Sequence, residues 1–278
     1  MKIHIKSPGR VNLIGEHTDY NGGYVLPCAL DLTIDLFFEK KTKESYVNTD
    51  LGFSMTFDVN IPYKKSNNHW ENYVLGAINE LKQIKSELSN FSCMIKSTLP
   101  SGAGISSSSA LVCGLIKGLG KLNEIKLENS DIINLSRNVE HKYIGLLGGI
   151  MDQFTILNAK KNMAILLNCE NQESKFIKLE FKEHKLLLLD TNVKHNLANT
   201  EYNQRVSECK ESLQIINGLC KENYSNLSQV NKVDLSSSKE KLGKTLYKRA
   251  SYVLNENQRV INSVEFLEND KLKEFGQL

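Results

Sequence analysis

Residues 9–23 read Gly9-Arg-Val-Asn-Leu-Ile-Gly-Glu-His-Thr-Asp-Tyr-Asn-Gly-Gly23. One Arg, one Glu, one His and one Asp fall in this short turn-rich segment. A packed core has no place for such a cluster, because each ionisable group needs a partner once it leaves water. The segment is therefore expected at a surface loop or lining a polar pocket. Taken alone, His17 reads equally as a structural histidine bonded to backbone, and Asn21-Gly-Gly23 as an ordinary turn.

Two further stretches carry chemistry. Pro100-Ser-Gly-Ala-Gly-Ile-Ser-Ser-Ser-Ser-Ala110 sets two glycines before a helix whose first turn is full of hydroxyls. Glycines let backbone N–H groups turn toward an anion, and a helix N-terminus adds unsatisfied donors and partial positive charge. A Walker A loop would end in Gly-Lys-Ser/Thr, and a dinucleotide fingerprint would need glycine where Ser107 stands, so neither is present. The plain alternative is a serine cap on a surface helix. Gly148-Gly-Ile-Met-Asp-Gln153 places an aspartate among apolar residues, which asks either for a helix-capping role or for a functional one.

Together these stretches resemble the motifs of the GHMP sugar kinases, and residues 9–23 resemble the galactokinase signature of that family almost letter for letter. The resemblance implies ATP-dependent phosphorylation of galactose at its anomeric hydroxyl, with Mg²⁺ as cofactor. It assigns Arg10 and Asp152 to catalysis, and Glu16, His17, Asp19, Gly149 and Tyr202 to the sugar. It assigns Trp70, Ser101, Gly102, Ala103, Gly104, Ser106, Ser107, Ser108 and Lys194 to the nucleotide. Ser108 and Glu140 are the implied Mg²⁺ ligands. Departures from the family pattern are Ser109 for alanine, Ile105 for leucine and Gly148 for cysteine. The implied architecture is α+β with two domains, an N-terminal one over 1–180 and a partial C-terminal one over 181–278, since no third glycine-rich motif follows residue 150. A non-catalytic galactose and ATP sensor, or an inactive truncated kinase, stands as the alternative. The full-length loop at 104–111, with Arg10, Glu140 and Asp152 all present, favours the kinase.

The 278 residues are 40% apolar and 24% charged, the mix of a globular chain. A net charge of +3, spread through mixed runs, gives no footprint for nucleic acid or an anionic membrane. The N-terminus lacks a signal-like apolar segment, and no apolar run approaches the roughly 20 residues of a membrane helix, so a cytoplasmic protein is expected. The six cysteines form no Cys-x-x-Cys pair and read as reduced core thiols. The residues leave the oligomeric state open, a monomer among the possibilities.

Periodicity supplies the elements. Ile3 and Ile5 alternate as a strand, and residues 25–38 read as strand interrupted at Pro27. Trp70, Tyr73, Val74, Ala77, Ile78 and Leu81 recur at helical spacing. Phe91 to Ile95 alternate as a strand, and helices are expected over about 107–122, 131–143 and 200–216. Residues 163–168, 175–181 and 185–190 read as three successive strands. Residues 220–241 read as a polar loop or a small helical insertion, with helix resuming near Leu242. Early strands with interleaved helices argue α+β.

Overall fold

Along the first strand Ile3, Ile5 and Ser7 are buried while Lys2, His4 and Lys6 are exposed, the period-two pattern that buries one face of a sheet. The computed structural model describes residues 2–62, 64–100, 102–191 and 201–278. In it β1 (Lys2–Asn12) pairs antiparallel with β3 (Pro27–Lys40), which pairs with β6 (Phe91–Ser97). Two short strands that periodicity did not single out, β4 (Ser45–Thr49) and β5 (Ser54–Phe57), complete a sheet of order β1-β3-β6-β4-β5. Its inward face carries Ile34, Leu36 and Phe38 against α1 (Glu71–Lys82), α2 (Ser107–Leu122) and α3 (Asn129–Val139).

Helix α2 crosses this sheet closely at Gly118, where a Cβ would overlap the Phe38 ring. Phe38 is 1% exposed and packs on Phe91 at a centroid distance of 6.0 Å, so the ring has little room to yield. Gly118→Ala is expected to lower stability by about 1–3 kcal/mol in a denaturant titration, although alanine is the better helix former. An unchanged midpoint would show that the sheet gives way freely.

The interruption at Pro27 is a change of sheet. β2 (Tyr24–Val25) pairs with β7 (Met163–Asn168), which pairs with β8 (Ser174–Lys178), before the chain crosses to β3. Proline opening a strand loses no interior ladder bond. Between the sheets, α4 (Met151–Asn158) sends Met151 and Phe154 toward Val25, Ile165 and Leu167. Helices α5 (Glu201–Leu219), α6 (Lys232–Ser237) and α7 (Lys239–Glu268) enclose a further apolar cluster around Cys209, Ile216, Leu235 and Val253. The helical-insertion reading of 220–241 therefore holds, with a 3₁₀ turn at Leu227–Gln229 before α6. Farther along, α7 lays Val260, Val264 and Leu267 on Ile14 and Leu26, so the chain's last long helix backs its opening motif. A short α8 (Leu272–Phe275) follows.

One expected strand is absent. Residues 185–190 have no regular structure, and Leu187 and Leu189 are 75% and 80% exposed. Four leucines in a row suit a buried strand, but a strand exists only where a neighbour takes its N–H and C=O groups. Among the described residues none pairs with this run, and β8 ends its sheet. Among the described residues, too, no helix is long and apolar enough to cross a membrane.

Candidate active site

The opening motif leaves β1 just after an irregularity between Pro8 and Arg10, where the register against β3 shifts. Such bulges turn a side chain out of the regular alternation. Arg10 Nε donates to Asp152 Oδ1 at 2.6 Å, Arg10 Nη1 donates to the Gly104 carbonyl at 2.9 Å, and its backbone N–H donates to the Ile105 carbonyl at 3.1 Å. Ser106 Oγ donates to Asp152 Oδ2 at 2.5 Å. Strand, glycine-serine loop and α4 thus meet at one carboxylate. Arg10 and Asp152, both assigned to catalysis by the resemblance, are thus brought together, and Ser106, assigned to the nucleotide, joins them through its hydroxyl.

The loop is open where the sequence suggested an anion. Gly102 and Gly104 have φ of +79° and +72°, and nothing lies within 4 Å of a Cβ placed on either. Ala103 packs on the core beneath, and Ser107 begins α2 half-buried. Ser108, half-buried, lies near Tyr73 of α1. Trp70, half-buried at that helix start, packs on Phe53 at 5.8 Å between centroids. Ser101 and Lys194 lie outside the described residues.

Glu140 begins a single π turn (Glu140–Ile144) that follows α3, a distortion frequent at functional sites. The serine that reaches it is Ser109, whose Oγ donates to Glu140 Oε1 at 2.6 Å, while Gln153 Nε2 donates to Oε2 at 2.8 Å. Burial pushes the Glu140 pKa up to about 7, against these two hydrogen bonds. Gln153 Oε1, on the same amide, is a buried acceptor with no hydrogen-bond partner. A hydrated cation beside Glu140 would supply the missing donor from its water, so this donor set fits Mg²⁺, which keeps several waters and takes one or two carboxylates.

The sugar-side residues gather around Gly149. Its N–H donates to Asp19 Oδ2 at 3.1 Å, and a Cβ at Gly149 would strike that carboxylate. Protein packed around Asp19 raises its pKa to about 6, and the nearby Asp152 charge adds to the shift. A polar cavity of about 320 Å³ borders both Asp19 and the Gly148–Ile150 segment. His17, at a φ of +63°, sits with its ring 5.7 Å from Tyr202 and 5.8 Å from Tyr20, and its Nδ1 lies 2.8 Å from the Tyr20 hydroxyl. Burial lowers the His17 pKa. Glu16, at the exposed rim, accepts from Asn12 Nδ2 at 3.2 Å, and the surrounding protein raises its pKa.

Sequence reasoning missed the supports of this motif. Glu256 Oε1 accepts from the Gly15 N–H at 2.8 Å and Asn257 Oδ1 from the Tyr24 N–H at 2.7 Å. A signal was available, because Glu256 stands at helical spacing between buried Val253 and Val260, on the apolar stripe of α7. A charged residue on such a stripe needs a partner.

Residues 72–160, which hold the glycine-serine loop, Glu140 and Asp152, match the model of the GHMP kinase N-terminal domain. Residues 2–40 match the galactokinase galactose-binding signature. The chain belongs to the galactokinase family. It is 36% identical to a galactokinase of Thermosipho africanus over 99% of its own length and 74% of the relative's. To one of Clostridium tetani it is 36% identical, covering 98% of this chain and 70% of that one. A Lactococcus lactis galactokinase solved with galactose superposes with a TM-score of 0.88 at 30% identity, over 99% of this chain and 72% of the other.

Proposed function

We propose that this chain transfers the γ-phosphoryl group of ATP to the anomeric hydroxyl of galactose, releasing galactose 1-phosphate and ADP. The observation that carries the reading is Asp152, held by Arg10 on one oxygen and Ser106 on the other, where the sugar motif meets the phosphate loop. Asp152 orients the anomeric hydroxyl and takes its proton as the bond from that oxygen to the γ-phosphorus forms and the bond to the β,γ-bridging oxygen breaks. Phosphoryl transfer passes through a loose transition state that asks little prior deprotonation. An aspartate beside a guanidinium therefore suffices, and Arg10 stabilises charge developing on the transferring group.

The roles of the remaining residues are those the family resemblance implies. Glu16, His17 and Asp19 bind sugar hydroxyls, Gly149 offers backbone, and Tyr202 packs beside His17. The family resemblance gives residues 101–104 and 106–108 to the phosphates, Trp70 to the base and Lys194 to the transferring phosphate. Ser108 and Glu140 hold Mg²⁺, which neutralises phosphate charge when bound. The six free thiols suit a reducing cytoplasm.

The test is ADP release coupled to a panel of galactose, N-acetylgalactosamine, arabinose and glucose. Release dependent on galactose is expected. Tight sugar binding without ADP would overturn the kinase reading in favour of a sensor.

Asp19 adds a pH dependence. With its pKa raised to about 6, the sugar-free carboxyl takes up a proton below that pH. If sugar hydroxyls donate to the carboxylate, affinity is full above about pH 6 and falls by about tenfold per unit below it. Calorimetric galactose titrations from pH 5 to 8 read this, and Asp19→Asn is expected to weaken binding and flatten the profile. A wild-type profile as flat as the variant's would remove Asp19 from sugar recognition.

A further inference from the structure

Ser106 stands at the entry to α2 with φ of +60° and ψ of +39°. This left-handed region is the preserve of glycine and, less often, of asparagine or aspartate. A serine there is strained relative to glycine, and strain of this kind persists only where the surroundings over-determine it. Here the surroundings include a bond: Ser106 is 9% exposed, and its hydroxyl ends 2.5 Å from Asp152 Oδ2.

A carboxylate has about four lone-pair sites. One donor, Arg10 Nε, engages Oδ1, and a second, Ser106 Oγ, engages Oδ2. Two donors on different oxygens fix the plane of the carboxylate, where a single donor would leave it free to turn. The Asp152 side chain keeps 25% of its surface accessible, so lone pairs remain for an incoming hydroxyl. Arg10 also binds the Gly104 and Ile105 carbonyls. The loop and the carboxylate are therefore positioned as one unit, and Ser106 closes it.

We propose that Ser106 is a positioning residue, whose hydroxyl orients the Asp152 carboxylate toward the sugar and couples that orientation to the conformation of the phosphate loop. The proposal rests on the kinase reading above and adds a role for this side chain distinct from phosphate binding by the loop backbone.

Two variants separate positioning from mere structure. Ser106→Gly removes the hydroxyl and relieves the backbone; Ser106→Ala removes the hydroxyl and keeps the strain. Both are expected to lower kcat by about tenfold with KM for galactose and ATP within about twofold, although S106G unfolds at or above the wild-type temperature and S106A below it. A structural role predicts instead that activity follows stability, with S106G near wild type. Full kcat in S106G, or a loss confined to KM for ATP, would overturn the proposal. Wild type assayed alongside reads the kinase assignment separately, since no ADP from wild type removes that assignment alone. The bond is then read by a double-mutant cycle of S106G and Asp152→Ala on unfolding, in which about tenfold coupling in the equilibrium constant supports it and additivity overturns it.

Discussion

Asp152→Asn is expected to lower kcat for galactose by about 10²–10⁴-fold, with galactose affinity by calorimetry within about threefold of wild type. The substitution is close to isosteric, and the site tells which way the amide turns. Arg10 Nε only donates, so the amide oxygen faces it, and the amide nitrogen faces Ser106 Oγ, which is able to accept. The carboxylate's charge and basicity are lost while the local geometry survives. Sugar affinity is spared because Glu16, His17 and Asp19 lie on a different segment. Activity within tenfold of wild type would sink the assignment of Asp152.

Arg10→Ala is expected to lower kcat by about 10²–10³-fold and, unlike Asp152→Asn, to raise KM for ATP as well. The reason is the second branch of the guanidinium, which binds the Gly104 carbonyl and so ties the loop to β1. Arg10→Lys should fall between alanine and wild type. A lysine supplies the charge, but a compact ammonium does not reproduce the planar fork that reaches Asp152 and Gly104 together. Steady-state kinetics with each substrate varied in turn checks the order. Equal kcat for the lysine variant and wild type would show that charge alone matters and that the fork does not.

The parts of this site that lie on local pattern were legible without coordinates. Alternation at Ile3 and Ile5 and the break at Pro27 correspond to β1 and to the hand-off between sheets, and the serine run does open a helix at Ser107. What the pattern did not contain is pairing. Ser108 and Ser109 are neighbours in sequence, yet only packing decides that Ser109 is the one bonded to Glu140. The leucines at 186–189 look like a strand because their composition is right, and their exposure reflects the lack of a neighbour, which no local window reports. β4 and β5 escaped for the opposite reason, being too short and mixed in character to show a clear period although the sheet recruits them.

The bond from the Gly15 N–H to Glu256 spans 241 positions, and Asn257 closes a second such link to Tyr24. During synthesis the sugar motif therefore emerges early and lacks both anchors until α7 follows it. At about 5–20 residues per second that interval is roughly 10–50 seconds. The sugar motif is thus complete in sequence long before it acquires its working shape, which waits on a helix more than two hundred residues later.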